Sequence, residues 1–390
     1  MICNKIKIVY LQQKSKVINL DILKMDNLLL YEIALTLIPG VGDVIAKKLI
    51  AYCGGAEAVF REKKKHLMCI SGIGERTVEA IVTQNVLVRA ERELSFIEKN
   101  GIRVLYYLNS DYPKRLQHCY DSPVVIYCRG DTDLNVDKVI GIVGTRNVTE
   151  YGRYLTDKII EELSSDDVLV VSGLAYGVDT CAHKAALNNN LNTAAVLAHG
   201  FHTIYPHANA NLSRKIVERG GCLLTENISG VEPDRENFPK RNRIVAGMID
   251  CLIVVESASK GGALITAEIA NSYDREVFAF PGRVGDAFSE GCNNIIRNNK
   301  ANMLISSGDL RYIMRWDTQT KTIPKQLKMF REFNDSEKMV IDLFEDVDVI
   351  NLDDIITTTR LPPSKIASIL LSFEFDGIVK ALPGRRYQKL

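Results

Sequence analysis

From Lys138 to Phe280 the chain alternates short apolar, β-branched runs with segments of helical periodicity, and this alternation restricts the folds open to it. The apolar runs are Lys138–Val143, Val168–Val171, Thr193–Leu197, Cys222–Leu224, Cys251–Val255 and Val277–Phe280. Helical stretches at Thr149–Leu163, Asp179–Leu187, Asn209–Arg219, Ala263–Tyr273 and Gly291–Asn298 separate them. Strands this apolar have no face to offer water, so the order predicts a parallel sheet covered on both sides by crossover helices. Ligands of such sheets sit beyond the carboxyl ends of the strands. Glycine-rich or polar loops stand at these ends: 144–146, 172–177, 199–200, 256–262 and 281–283.

The flanks follow other patterns. Residues 38–42 (Ile-Pro-Gly-Val-Gly) and 70–74 (Ile-Ser-Gly-Ile-Gly) repeat one motif, each followed by a helical stretch, Asp43–Tyr52 and Glu75–Thr83. The repeat resembles tandem helix-hairpin-helix (SAM-like) units, in which glycine turns expose backbone N–H groups that can hold a DNA phosphate. The alternative is a small helical domain whose glycines only cap helices, and Asp26–Lys99, with ten basic and ten acidic residues, does not decide between them. Near the C-terminus, helical patterns at Ser336–Phe344, Leu352–Thr358 and Ser364–Phe375 precede a hairpin, Ile378–Leu382, Pro383-Gly384 and Arg386–Lys389, an order that resembles a winged helix. Seven basic against nine acidic residues over 336–390 make it a poor phosphate binder and favour protein contact. The expected organisation is a disordered extension over 1–24 ahead of an internal start at Met25, a helical domain over 25–100, the sheet domain over 101–316, a polar linker over 317–335 and the winged helix over 336–390.

Composition removes several classes. No uninterrupted apolar run exceeds five residues, so membrane insertion is not expected. The nine cysteines form no CxxC pair, which argues against zinc or redox exchange and for buried thiols in a reducing cytoplasm. The 49 Lys and Arg balance 48 Asp and Glu, so any site for a polyanion has to be local.

Two local sites stand out. Gly144-Thr145-Arg146 ends the first strand, where backbone N–H groups and a guanidinium can hold a phosphate, although the full GxGxxG pattern of a dinucleotide site is missing and no cofactor is expected. Phe238-Pro239-Lys240-Arg241-Asn242-Arg243 gathers three cations, an aromatic ring and an amide, a set suited to the backbone and bases of a single strand. Arg146 and Lys240 are both placed on strand-end loops. Asp179 and His183 share a helix face, but Asp179 reads better as an N-cap than as an acid. His199, His202 and His207 fit no metal spacing.

The motifs Gly144-Thr-Arg146, Ser172-Gly-Leu-Ala-Tyr-Gly-Val-Asp179 with Ala182-His183, Ile204-Tyr-Pro206 with Asn209, Phe238 to Gly247, Gly261-Gly-Ala-Leu-Ile-Thr-Ala267, and Pro281-Gly282 with Gly291-Cys-Asn293 resemble the DNA-processing protein A family (DprA/Smf) over roughly Asp111 to Asp309. The resemblance implies an extended Rossmann-like domain that binds single-stranded DNA in a basic pocket, forms a homodimer and loads RecA recombinase during natural transformation, without metal, cofactor or catalytic residue. It places the pocket at Gly144, Thr145 and Arg146 and at Lys240, Arg241 and Asn242. With Phe238, Arg243 and the strand-end glycines Gly173, Gly261 and Gly262, these residues make up the candidate DNA-binding set. Tyr176 stands where relatives often carry Arg, and Ala198-His199 replaces a glycine-rich pair. A second reading comes from Gly261-Gly262, Thr266 and Glu268, which are similar to the loop and acid of nucleotide phosphoribohydrolases of the lysine-decarboxylase-like type. Here Ser259-Lys260 replaces that loop's proline.

Overall fold

The computed structural model describes residues 27–316, 333–344, 349–375, 378–382 and 385–389. The extension 1–24, nearly all of the linker 317–335, Gly377 and the wing turn Pro383-Gly384 lie outside them. The chain forms two compact units, Met1–Trp316 and Asp317–Leu390.

In the first unit, helices α1 (27–36), α2 (Asp43–Cys53), α3 (Ala56–Arg61), α4 (Lys64–Leu67), α5 (Glu75–Val82) and α6 (Leu87–Lys99) precede the sheet. The rest runs β1 (Arg103–Tyr106), α7 (Lys114–Gln117), β2 (Val125–Gly130), β3 (Val139–Val143), α8 (Glu150–Glu162), β4 (Leu169–Ser172), α9 (Val178–Asn188), β5 (Thr193–Val196), α10 (Ala210–Glu218) and β6 (Cys222–Thr225). It continues with α11 (Asn237–Met248), β7 (Cys251–Val254), α12 (Gly262–Ser272), β8 (Glu276–Ala279), α13 (Glu290–Arg297), β9 (Asn302–Met303) and α14 (Ser307–Met314). The strand order is β1-β2-β6-β5-β4-β3-β7-β8-β9, parallel from β6 to β9, with β1 and β2 antiparallel at one edge.

The period-2 geometry of the strands divides their side chains between two cores. Val143, Val171 and Val254 meet α11, α12 and α13, while Ile142, Val170 and Ile253 meet α8, α9 and α14. Each predicted strand is present within about one residue of its expected ends. Two features differ from expectation. The Phe238–Arg243 run forms the start of α11, so Lys240 sits on a helix and not on a strand-end loop. Asp179 is the second residue of α9, whose N-cap is Gly177.

The helical segment is not detached from the sheet. Ile33, Leu35 and Leu49 share a core with Leu174, Leu197 and Leu223. Both repeated turns form as the repeat predicts, with Gly40 at φ 79° and Gly72 at φ 82°, a region that favours glycine. The first turn is committed to docking. Asp43, in the first turn of α2, accepts from the Val124 N–H (2.9 Å) and from the Arg243 guanidinium (3.0 Å). On α6, Glu93 accepts from the backbone and hydroxyl of Ser229 (2.8 and 2.6 Å). All eight described cysteines are free; five are buried, Cys53 and Cys181 are half-buried, and Cys69 is exposed, against the expectation of buried thiols throughout.

The second unit holds α15 (Asp335–Ile341), β10 (Val349–Asn351), α16 (Leu352–Thr359), α17 (Pro363–Phe375), β11 (Val379–Leu382) and β12 (Arg386–Lys389), with sheet order β10-β12-β11. Asn334 and Glu337 close a capping box at the start of α15. Val340, Ile355, Ile366, Leu370 and Phe373 fill the core of this winged helix. The first strand, β10, escaped the sequence pattern because only three residues form it.

Burial on α1 raises the Glu32 carboxyl to about 7. Because the folded pKa lies above the unfolded one, Glu32 favours folding fully below pH 4.5, and that contribution is lost as pH rises through about 7. Glu32→Gln should therefore be more stable than wild type at pH 8, with a flatter dependence of Tm on pH, as read by thermal unfolding across that range.

Candidate nucleic-acid interface

The order of strands reverses at β3, which lies between β4 and β7. The loops after β3 and β7 therefore part on opposite sides of the sheet and leave a crevice at its carboxyl edge. The crevice is a cleft of about 740 Å³. Its mouth is held by contacts between the two loops. The Thr145 N–H donates to the Glu256 carbonyl (2.7 Å), and the buried Glu256 carboxylate accepts from the Thr149 N–H (2.9 Å) and hydroxyl. A Cβ at Gly144 would stand 2.4 Å from Val178 and 3.0 Å from the Glu256 carbonyl, so only glycine lets these loops approach.

Three structural pieces supply most of the lining. The β3 loop gives Gly144, Thr145, Arg146 and Asn147; the approach to α11 and its first turns give Arg235, Phe238, Arg241 and Asn242; the start of α12 gives Gly261, Gly262 and Thr266. Gly261 caps α12 with no side chain, leaving the positive end of the helix dipole open toward the cleft. Arg146 is exposed and its guanidinium lies 5.3 Å from the Phe238 ring centre, in cation–π contact. Three arginines face a single lining carboxylate, Asp179, which is itself 7% exposed.

Arg241 plays a different part from Arg146. Only 4% exposed, it donates through one nitrogen to the Gly173 carbonyl (2.5 Å) and to the Val196 carbonyl, tying the loop after β4 to the end of β5. A Cβ at Gly173 would come 2.3 Å from that nitrogen. Asp179 completes the arrangement from below by accepting from the Gly173 (3.1 Å) and Ala175 (3.3 Å) N–H groups. Burial lowers the Arg241 guanidinium to about 10 while Asp179 opposes the shift, so it remains a cation at neutral pH. Its Nε is buried and has no hydrogen-bond partner among the described residues. The guanidinium acts as a buried positive floor beneath the exposed Arg146.

The helical period divides the basic run. Phe238, Arg241 and Asn242 line the cleft, whereas Lys240 and Arg243 line a separate crease against Gly42 and Asp43 of the helical segment. Arg243 is bonded to Asp43, Glu226 and the Asp121 carbonyl, so it anchors that segment. Gly173 lies below the cleft and makes room for Arg241. Sequence reasoning missed Arg235, which lies outside the dense run, and it used Tyr205 only as part of a motif.

The histidines do not converge. His183, fully buried with its pKa lowered to about 3, donates from Nδ1 to Thr193, which in turn donates to the Val170 carbonyl. Buried His199 accepts the Tyr205 N–H at Nε2 (3.1 Å), which puts its proton on Nδ1 toward the Gly200 carbonyl. His202 meets Glu232 and the Gly230 N–H. Asp179 and His183 each have their own partners, leaving no acid/base pair on α9. Among the described residues no group of three or more His, Cys, Asp or Glu is placed to hold a metal ion.

The family profile of DNA recombination-mediator protein A matches residues 103–314, and the DprA winged helix domain matches residues 332–385. Protein Smf of Synechocystis is 31% identical over 92% of this chain and 98% of its own. The chain belongs to the DprA/Smf family. The DNA processing protein DprA of Streptococcus pneumoniae is 38% identical over 52% of this chain and 70% of its own. An X-ray structure of DprA from that species superposes with a TM-score of 0.63 at 30% identity, covering 73% of this chain and 97% of the other. A Helicobacter pylori DprA structure, described for its single-stranded DNA binding mode, gives a TM-score of 0.50 at 28% identity over 55% of this chain and 96% of the other. The cleft, α11 and both flanking loops lie inside the span matched by the DprA profile.

Removing a buried guanidinium that bridges two carbonyls and faces a buried carboxylate should cost on the order of 3 kcal/mol. Arg241→Ala should therefore unfold several degrees below wild type in thermal melts, whereas Arg146→Ala, exposed on its loop, should melt with the wild type.

Proposed function

We propose that this chain binds single-stranded DNA in the cleft at the carboxyl edge of its sheet, as a DNA-processing protein of transformation. The observation that carries the reading is the convergence of Arg146, Arg235 and the buried Arg241 with Phe238, Asn242 and the open start of α12 on one cleft. Cations and helix N–H groups suit phosphates, while an aromatic face and an amide suit unpaired bases without a base-edge code. The reading also draws on the single-stranded DNA binding of the Helicobacter pylori relative.

The same reading includes handing the bound strand to RecA in the cytoplasm, and self-association of the chain. Self-association is supported by β9, an edge strand of the sheet among the described residues, where Met303 and, two residues on, Ile305 are exposed. Among the described residues no helix is long and apolar enough to cross a membrane.

The phosphoribohydrolase alternative has less support. Thr266 lines the cleft, but Glu268 is exposed and paired with Lys300 (3.3 Å), and it does not line the cleft where an acid would be needed. Incubation with a nucleoside monophosphate should release no free base.

Binding should show little sequence preference, and log affinity should fall with log salt at a slope of about −0.7 per phosphate neutralised. Arg146→Ala should weaken binding and flatten that slope by about one contact at unchanged Tm. An isotherm independent of salt would contradict the electrostatic account.

The winged helix is assigned to protein contact. Its longest helix, α17, carries one basic residue, Lys365, and exposes Ala367, Ser368 and Leu371. A chain ending at Asp317 should keep most of its affinity for single-stranded DNA in the same titration. Loss of that affinity in a folded truncation would make Arg385 and Arg386 DNA ligands.

A further inference from the structure

A narrow slot opens beside the cleft and shares Arg146, Ala175, Tyr205 and Phe238 with it. We propose that the rim of this slot is a stacking platform for an unpaired nucleobase, with Tyr176 and Tyr205 as its base-binding residues. The proposal rests on the single-stranded DNA reading and adds to it the residues that hold a base.

Both rings are open to solvent at the rim, Tyr176 at 48% and Tyr205 at 44% exposure. Neither hydroxyl has a hydrogen-bond partner among the described residues, so neither ring is held in place by its polar end. Their backbones, in contrast, are fixed. Tyr205 is tethered through its N–H to buried His199. Tyr176 follows a loop held by Asp179 and by Asn209, which donates to the Leu174 carbonyl (2.9 Å). The next residue, Gly177, has φ 77°, and a Cβ there would lie 2.2 Å from the Thr145 carbonyl and 2.6 Å from the Arg146 carbonyl. Glycine at that point lets the β4 loop close onto the β3 loop and brings Tyr176 beside Arg146.

The remaining walls are suited to a flat ligand. The Tyr205 and Phe238 ring centres are 5.9 Å apart at 57°, and the Arg146 guanidinium covers Phe238. Leu197, Ala198 and Pro206 close the bottom, leaving free volume of only about 10 Å³. A base cannot enter a space that small, so it has to lie on the exposed ring faces at the mouth. A phosphate in the arginine-lined cleft and its base on the rim then use two adjoining surfaces of different chemistry. Bases in a duplex are stacked on their neighbours and have no free face for the platform, which gives preference for single strands without reading sequence.

The test compares the full chain with an oligothymidine and with a strand of equal length carrying abasic sites, by anisotropy at fixed salt. Wild type should bind the thymidine strand about tenfold more tightly, the effect expected of one or two stacked bases. Tyr176→Leu with Tyr205→Leu should lower thymidine binding most of the way to the abasic level, Phe238 and Asn242 remaining, and leave abasic binding unchanged, while Tyr205→Phe should retain the preference. Quenching of 2-aminopurine placed in the strand should be lost in the Leu variants and kept in the Phe variant. Equal wild-type affinity for the two strands overturns the platform while leaving DNA binding in the cleft intact. So does a loss in the Leu variants that is the same for both strands. Failure of wild type to bind either strand overturns the single-stranded DNA reading and the platform with it.

Discussion

The carboxyl edge of the sheet is organised around one buried cation. Arg241 reaches from α11 under the loop after β4 to the end of β5, and Asp179 reaches the same loop from α9. Between them they satisfy both backbone groups of the half-buried Gly173. The loop thereby acquires one conformation, and its neighbours inherit it: Gly177 packs on the backbone of Arg146, and Arg146 on the ring of Phe238. A charge that contributes chiefly to architecture thus also sets the positive potential of the cleft.

The docking of the helical segment depends on the same helix. One turn of α11 presents Arg241 to the sheet edge and Arg243 to Asp43 and Glu226. A run that reads in sequence as one basic patch is divided by the 100° step between residues into a ligand-facing side and an anchoring side. The first glycine hairpin is correspondingly used to bind its own chain through Asp43, while the second keeps its turn exposed.

Much of the fold was legible because a buried parallel sheet leaves continuous apolar runs, and the six runs from Lys138 to Phe280 became strands at nearly their expected bounds. The antiparallel pair β1 and β2 was less legible, since nothing in Arg103–Tyr106 or Val125–Gly130 shows that these runs join the same sheet. The Phe238–Arg243 run concealed a helix because its charges and Pro239 resemble a loop, although proline is tolerated in the first turn. In the cleft, Arg146, Phe238 and Asn242 were recoverable from residue chemistry. The burial of Arg241 was not, because a guanidinium that bonds carbonyls and one that bonds phosphates are identical in sequence. Arg235 depends on tertiary placement and no local signal marks it; the two tyrosines stand in motifs that do not show they share one rim.

The central claim is the location of the bound strand, and photocross-linking addresses it most directly. Single-stranded DNA carrying 4-thiothymidine would be irradiated with the full chain and the modified peptides mapped by mass spectrometry. The account predicts adducts within 144–147, 175–176, 235–242 and 257–266 and at Tyr205, competed by unlabelled single strands and reduced by Arg146→Ala. Adducts confined to the hairpins at 38–42 and 70–74, or to the winged helix, would contradict it.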